Sequence, residues 1–146
     1  MILVGLPGSG KTSFFRSRFA ANHAHVSKDL LPSARDKGAR QIALVEDALR
    51  AGRSVVVDNT NPRVVDRAPL VAAARRHGAR VVGYFLDTAR GECLARNRRR
   101  EGRARVPDVA VHVAASRLQP LSREEGFDEL FTVHAQDGAF EVEARP

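Results

Sequence analysis

Short hydrophobic runs alternate with stretches of helical periodicity along this chain, and the alternation predicts its secondary structure. Five runs predict β-strands at residues 1–4, 24–27, 54–57, 81–86 and 130–133, and residues 140–142 predict a small edge strand. Apolar spacing predicts helices at residues 11–22, 42–49, 62–77, 89–100 and 108–118, and Gly52 and Gly78 end two of them. Strands separated by helices call for parallel strands joined by right-handed crossovers. The chain is therefore expected to form a three-layer α/β/α sandwich with a mainly parallel sheet.

The helix after residue 61 has a recognisable start. Asn61 precedes Pro62, which predicts that Asn61 caps this helix and that Pro62 occupies its first position. Helical spacing then places four apolar residues on one face, which we expect to be the buried face: Val64, Ala68, Val71 and Ala72.

Composition narrows the class of protein. A length of 146 residues favours a single domain over residues 1–146, and 43% hydrophobic with 28% charged residues is typical of a globular chain. The longest unbroken hydrophobic run has five residues, 70–74, so no membrane span is expected. The single cysteine, Cys93, excludes an internal disulfide and a multi-cysteine metal site. The sequence opens on the hydrophobic residues 1–4 without a basic leader or a cleavage pattern, so we expect a cytoplasmic protein.

Charge points to an anionic partner. The chain has 24 basic and 17 acidic residues, a formal net charge of +7. Residues 90–105 contain seven arginines against two glutamates, which concentrates much of the excess in one segment. A strongly basic balance favours polyanions such as nucleic acid.

The segment Gly5-Leu6-Pro7-Gly8-Ser9-Gly10-Lys11-Thr12 matches the phosphate-binding motif G-x-x-x-x-G-K-[ST] without a mismatch. It lies between the first strand and the first helix, which is the context that the motif requires. Backbone N–H groups of such a loop face the phosphates, the lysine bridges phosphate oxygens and the threonine hydroxyl holds Mg²⁺. The sequence therefore predicts binding of ATP with Mg²⁺ by the following residues: Gly8, Ser9, Gly10, Lys11, Thr12 and Ser13.

Two carboxylates follow buried strands on the side of the sheet where this loop lies. Asp58 ends the run 54–57 and is a candidate for the Mg²⁺ side of the site. Its other possible role is to cap the next helix, but Asn61 can do that alone. Asp29 follows the second strand and could accept a proton from an attacking hydroxyl, or it could be an ordinary exposed loop residue.

The arginine-rich segment predicts a lid over about residues 96–107. Arg96 and Arg100 are four residues apart and share a helix face, so a closing lid could place them on the transferring phosphoryl group. The alternative is a solvated basic helix face that keeps the protein soluble. The five histidines have no metal-ligand spacing, and we expect them to be surface or hydrogen-bonded residues.

Five segments, in this order, resemble the P-loop 5′-hydroxyl polynucleotide kinases, whose kinase domain is often fused to a phosphatase or another repair domain. The resemblance covers about residues 1–133. Its segments are the phosphate loop, Ser27-Lys28-Asp29, Val55-Val56-Val57-Asp58-Asn59-Thr60-Asn61-Pro62, Arg96-Asn97-x-x-Arg100 and Glu125-Gly126-Phe127.

The resemblance implies transfer of the ATP γ-phosphate to a 5′-hydroxyl end of DNA or RNA. It implies that Lys11 and Thr12 bind ATP and Mg²⁺, that Asp29 is the general base and that an arginine of segment 96–100 contacts phosphate at the lid. This sequence departs from the family at Pro32, where an arginine often holds the acceptor's phosphate. Nearby cations could take its place: Arg35, Lys37 or Arg40.

The resulting hypothesis is a P-loop kinase that acts on 5′-hydroxyl nucleic-acid ends in repair, with a phosphatase or a ligase as its functional partner. Two other classes stay open. One is a small-molecule phosphotransferase for an antibiotic, a nucleoside or a sugar nucleotide. The other is a nucleotide-dependent nucleic-acid-binding module without catalytic activity.

Overall fold

The architecture is an α/β/α sandwich built on one six-stranded sheet. A computed structural model describes residues 1–31, 35–136 and 138–146. Its strand order is β2-β3-β1-β4-β5-β6, in which β6 is antiparallel to β5 and all other neighbours are parallel. The strands are β1 (Ile2–Val4), β2 (His23–Val26), β3 (Ser54–Asp58), β4 (Val82–Leu86), β5 (Glu129–Gln136) and β6 (Ala139–Arg145). The predicted fold class is confirmed.

Five helices alternate with the parallel strands, in the predicted order. They are α1 (Lys11–Arg18), α2 (Lys37–Arg50), α3 (Val64–Arg76), α4 (Arg90–Arg98) and α5 (Asp108–Arg117). Helix α1 ends four residues before the predicted boundary, because Phe19 leaves the helical conformation and packs its ring against Phe14 at 5.5 Å. Within the described residues, no helix combines the length and the apolar character that a membrane span needs.

The core lies on both faces of the sheet. One cluster fills the space under α2 and α3, and it includes Ile2, Val4 and Val57. A second cluster lies under α1, where Leu3 and Val56 pack against the phenylalanines of that helix. Alternate residues of β1 and β3 thus point to opposite faces, as burial on both sides of a parallel sheet requires.

Helix α3 starts and faces the core differently from the prediction. Asn61 is not its cap: its backbone has a φ of 44°, and its side-chain amide donates to the Leu3 carbonyl at 2.8 Å. The helix begins after Arg63, whose backbone N–H donates to the Asp66 carboxylate at 3.0 Å. The predicted buried face is also wrong, since only Val71 of that set is buried, and the buried residues are Arg67, Leu70, Val71 and Ala73.

Candidate active site

The carboxyl ends of β1, β2 and β3 meet at one edge of the sheet, which we call the carboxyl edge. The phosphate loop follows β1, a short 3-10 turn at Lys28–Leu30 follows β2, and Asp58 ends β3. Neighbouring strands lie about 4.8 Å apart, so the segments after β1 and β2 are separated by about 10 Å at their starting points. The residues predicted to bind ATP and Mg²⁺ and the predicted general base, Asp29, therefore all lie on the same edge.

The phosphate loop depends on glycine at two positions. Gly8 and Gly10 have φ values of 82° and 102°, which side-chain-bearing residues rarely adopt. Residue 8 also has no room for a side chain, because a Cβ there would lie 2.5 Å from the Cys93 carbonyl oxygen of α4. The phosphate loop and helix α4 are thus in direct backbone contact.

Ser9 links the loop to the lid and also contains an unsatisfied group. Its carbonyl accepts hydrogen bonds from the Thr88 hydroxyl at 2.9 Å and from Arg96 at 3.4 Å. Its own buried hydroxyl has no hydrogen-bond partner among the described residues. A buried unsatisfied polar group costs about 1–3 kcal/mol, a cost that a polar ligand at this loop can relieve.

Lys11 provides a buried positive charge in the loop. Its ammonium donates to the carbonyls of Gly5 and Leu6 at 3.0 and 2.8 Å. The pKa of Lys11 is lowered to about 8, chiefly by burial; Asp58 opposes this shift, Arg100 adds to it and Asp29 opposes it. Residues from three separate segments thus act electrostatically on this one amine.

The structure brings together the side chains of Thr12 and Asp58, the two residues predicted to hold Mg²⁺. The Thr12 hydroxyl donates to Asp58 Oδ2 at 2.7 Å, and His25 Nε2 lies 2.9 Å from the same oxygen. Hydroxyl and carboxylate oxygens are ligands that Mg²⁺ prefers, and Mg²⁺ in nucleotide sites takes one or two protein ligands together with phosphate oxygens. The described residues hold no group of three or more His, Cys, Asp and Glu side chains that could bind a metal. This donor set therefore fits Mg²⁺ bound together with a nucleotide.

Because Asn61 does not cap α3, its presence does not exclude a capping role for Asp58. Asp58 is buried, with 5% of its surface exposed, and its contacts lie in the loop and in β2. The Mg²⁺ role of Asp58 accordingly stays a prediction that rests on these contacts and on the motif.

Asp29 lies in the turn after β2, and its carboxylate is exposed. Two hydrogen bonds to side chains hold the turn. Asp29 N–H donates to the Ser27 hydroxyl at 3.2 Å, and Lys28 N–H donates to the Asn59 amide oxygen at 2.9 Å. Asn59 in turn donates to the side chain of Gln41 at 2.5 Å. The turn that carries Asp29 is thus tied to both β3 and α2.

The lid arginines lie above the loop. Arg96 donates to the Ser9 carbonyl and pairs with Glu92 at 2.6 Å, and its guanidinium lies beside Gly10. Arg100 is half-buried and donates to the Ala104 carbonyl at 3.4 Å. Arg96 therefore contacts the loop, whereas Arg100 acts on the loop through the effect of its charge on the pKa of Lys11, and the roles of both arginines in phosphoryl transfer stay predictions.

The predicted acceptor residues are less constrained. Arg35 and Arg40 are exposed, one before α2 and one in its first turn, where the Asp36 carboxylate accepts from Ala39 N–H at 2.9 Å. Neither arginine forms an ion pair within the described ranges. Pro32, the position of the departure from the family, lies outside the described residues.

The structure adds residues that sequence reasoning did not single out. Gln41 is a buried polar residue one helical turn before buried Val45, and a polar residue on an apolar helix face is the signal that could have found it. Asn97 is fully buried and bonds both backbone groups of Val106, at 2.6 and 3.0 Å. His25 has a hydrogen bond to Asp58, and no spacing in the sequence marks that contact.

Several cations near the carboxyl edge form no ion pair among the described residues. At the opposite edge, Glu46 and Asp128 pair with Arg76 and Arg75 at 2.6 and 3.1 Å. In the described part of the chain, the following cations near the carboxyl edge form no ion pair: Lys28, Arg35, Lys37, Arg40, Arg99, Arg100, Arg103 and Arg105. These cations are available to an anionic ligand at the candidate site.

The sequence profile of the AAA_33 family, described as an AAA domain, matches residues 1–121. Because this match covers most of the chain, the protein belongs to that family of P-loop kinase domains.

Two relatives are named for polynucleotide phosphatase/kinase activity. The bifunctional polynucleotide phosphatase/kinase of Schizosaccharomyces pombe is 29% identical over 133 residues, which are 87% of this chain and 31% of that protein. A protein of Acanthamoeba polyphaga mimivirus, named for the same two activities, is 28% identical over 140 residues, 91% of this chain and 32% of its own. The chain thus spans about a third of the length of these relatives.

Solved structures with the same fold come from more than one kind of protein. A chain of the Pnkp1/Rnl/Hen1 RNA repair complex is 24% identical with a TM-score of 0.67, over 99% of this chain and 47% of that chain. A gluconokinase from Sinorhizobium meliloti 1021 is 20% identical with a TM-score of 0.65, over 94% and 83%. These likenesses show the fold alone. The family and the two relatives confirm the resemblance to P-loop polynucleotide kinases, and the solved structures confirm the P-loop kinase fold.

Proposed function

We propose that this protein transfers the γ-phosphate of ATP to the 5′-hydroxyl end of DNA or RNA. The observation that carries the proposal is the position of Asp29. Its exposed carboxylate lies on the same edge as the phosphate loop, close enough for its charge to raise the pKa of Lys11. The names of the two polynucleotide phosphatase/kinase relatives support the choice of acceptor.

The donor half of the site is formed by the phosphate loop and the end of β3. The backbone N–H groups of residues 8–13 would hold the phosphates, and Lys11 would turn from its loop carbonyls to phosphate oxygens. Thr12 and Asp58 would hold Mg²⁺, which when bound neutralises charge on the β- and γ-phosphate oxygens. Arg96 and Arg100 would add positive charge from the lid side.

The acceptor half centres on Asp29. As the 5′ oxygen forms its bond to the γ-phosphorus, the bond between that phosphorus and the bridging oxygen of ADP breaks. The hydroxyl proton passes to the Asp29 carboxylate. General-base assistance of this kind is worth about 10²- to 10⁴-fold in rate. The hydrogen bonds through Ser27 and Asn59 hold the turn in place for this step.

The charge distribution supports a polyanionic acceptor. In the described residues, cations without an ion pair lie in the turn after β2, at the start of α2 and in the lid segment. A chain of 146 residues has room to hold a terminal nucleotide or two, and the surrounding field would steer the strand end into the cleft. Arg35 and Arg40 are the proposed contacts to the acceptor's phosphates.

The names of the relatives also suggest partners. Each is named as a phosphatase as well as a kinase, and the repair complex includes a chain whose fold this protein shares. A phosphatase and a ligase are the activities that would prepare and then seal the ends that this kinase phosphorylates. We propose nucleic-acid repair as its setting.

An acceptor panel with γ-labelled ATP and Mg²⁺ tests the proposal. We expect label on 5′-hydroxyl DNA or RNA oligonucleotides and none on gluconate or on an aminoglycoside. Label on a small hydroxyl compound with none on oligonucleotides would instead assign the small-molecule class, which shares the fold through the gluconokinase. ATP and oligonucleotide binding without transfer to either acceptor would assign a binding module.

A further inference from the structure

Two histidines at alternate positions of β2 pack against phenylalanines in α1 and directly after it. The His23 ring packs against Phe19 with centroids 5.1 Å apart, and the His25 ring stacks on Phe15 at 4.1 Å. They differ in their polar partners. His23 Nδ1 lies 2.6 Å from the amide oxygen of Asn22, whereas His25 Nε2 lies 2.9 Å from Asp58 Oδ2.

Asp58 Oδ2 thus has two neighbours that can donate to it. The Thr12 hydroxyl donates to this oxygen, and an N–H at His25 Nε2 makes the second hydrogen bond. The other carboxylate oxygen, Oδ1, accepts no hydrogen bond from the described residues. The two oxygens of this buried carboxylate are therefore in different environments.

This difference matters for a cation beside Thr12. A hydroxyl has one proton and two lone pairs, so donation to Asp58 leaves the lone pairs of Thr12 available to a metal ion. Rotation of the carboxylate by less than a half-turn about its Cβ–Cγ bond would move Oδ2 away from the Thr12 hydroxyl. His25 opposes that rotation because its ring is itself fixed by the stack on Phe15, one helical turn after Thr12.

We propose that His25 is a positioning residue for the Mg²⁺ site: it holds Asp58 Oδ2 as the acceptor for Thr12 and leaves Oδ1 for the cation and its water. The proposal rests on the Mg²⁺-nucleotide part of the proposed function and is independent of the acceptor. His25 acts through Asp58 and needs no contact of its own with the metal. Partners of this kind typically change metal affinity by about 10- to 100-fold when they are removed.

Three variants of the full chain test the proposal. His25→Leu removes the donor and keeps an apolar side chain against Phe15. His25→Gln places an amide N–H where Nε2 was and restores a donor. His23→Leu is the matched control, because it makes the same exchange two residues earlier on the same strand and against Phe19.

The measurements contain no acceptor. Fluorescent ADP is titrated with and without Mg²⁺, and Mn²⁺ binding in the presence of ADP is followed by electron paramagnetic resonance. We expect His25→Leu to weaken Mn²⁺ and Mg²⁺ affinity by about 10- to 100-fold and to leave metal-free ADP affinity unchanged. His25→Gln should recover most of the loss, and His23→Leu should match wild type.

The proposal is overturned if His25→Leu binds metal as His23→Leu does, or if His25→Gln shows no recovery. It is also overturned if His25→Leu loses metal-free ADP affinity as strongly as Mg-ADP affinity, because His25 would then be a structural support of the loop. Failure of the proposed kinase activity would appear elsewhere, in the acceptor panel, while these titrations could still give the expected pattern.

Discussion

At the scale of single residues, the positions that could be predicted were those that belong to short contiguous sequence motifs. Lys11, Thr12 and Asp58 stand in contiguous motifs, and the structure brings the last two within 2.7 Å. Contacts between distant segments left no such signal. Arg67 is fully buried and binds Glu125, 58 residues further on, through hydrogen bonds of 2.7 and 3.0 Å. Because arginines are rarely buried, sequence reasoning places Arg67 on the surface, and this is why the prediction of the buried face of α3 was wrong.

Arg67 yields the first prediction. Arg67→Leu leaves the Glu125 carboxylate without its ion-pair partner, and loss of one partner of a buried pair costs about 3–5 kcal/mol. The free energy of unfolding in urea measures this loss. Arg63→Leu is the control, since it removes an exposed pair with Asp66 in the same helix and should cost far less. Similar losses for both variants would contradict the assignment of Arg67.

Arg100 yields a kinetic prediction. Its charge acts on Lys11, and it lies on the lid side of the loop, so Arg100→Ala should slow phosphoryl transfer by about 10³-fold or more. ATP affinity, measured by calorimetry, should change far less, because the charge acts mainly on the group in transfer. An equal loss of turnover and ATP affinity would show that Arg100 only anchors the donor.

At the scale of elements, strand and helix order followed from periodicity, because alternation of β and α segments permits few topologies. Boundaries and caps did not follow. Asn61 has the residue type of a helix cap, yet its amide is used to bond β1, and α3 begins two residues later. The lid over about residues 96–107 stays a prediction, and the sequence did not indicate which contact closes that segment. In the structure, Asn97 bonds both backbone groups of Val106 and closes the segment between them.

Asn97→Leu tests this closure. The substitution leaves the N–H and C=O of Val106 without their partner, which costs about 1–3 kcal/mol for each unsatisfied group. We expect amide hydrogen exchange to accelerate in residues 99–106 while the sheet keeps its protection, and turnover to fall. Unchanged exchange in the lid would show that Asn97 does not hold the segment.

At the scale of the whole molecule, the net charge of +7 was known from sequence, but its distribution was not, because pairing depends on the fold. Arginines at the two ends of α2 illustrate this. Arg50 pairs with Glu46 and Asp47 at the edge away from the phosphate loop, whereas Arg40 lies unpaired near the carboxyl edge. The charge of Arg50 is offset by its two partners, whereas an arginine such as Arg40 adds positive potential near the candidate site.

Two double variants with equal net charge test the importance of this distribution. Arg35→Ala with Arg40→Ala should weaken binding of a 5′-hydroxyl oligonucleotide and reduce the slope of log affinity against log salt by about 1.4, which is two phosphate contacts on a single strand. Arg50→Ala with Arg53→Ala should leave both quantities near wild type. Anisotropy titrations across a salt series make the measurement. Equal effects of the two double variants would show that net charge alone, not its placement, drives binding.

The central claim is that Asp29 and the phosphate loop act on one phosphoryl group across one cleft. A single-turnover assay of Asp29→Asn, with saturating Mg-ATP and 5′-hydroxyl oligonucleotide, tests it most directly, with exposed Asp47→Asn as the control. The account predicts a transfer rate about 10²- to 10⁴-fold below wild type for Asp29→Asn, unchanged ADP affinity, and a normal rate for Asp47→Asn. An Asp29→Asn rate within a few-fold of wild type would contradict it.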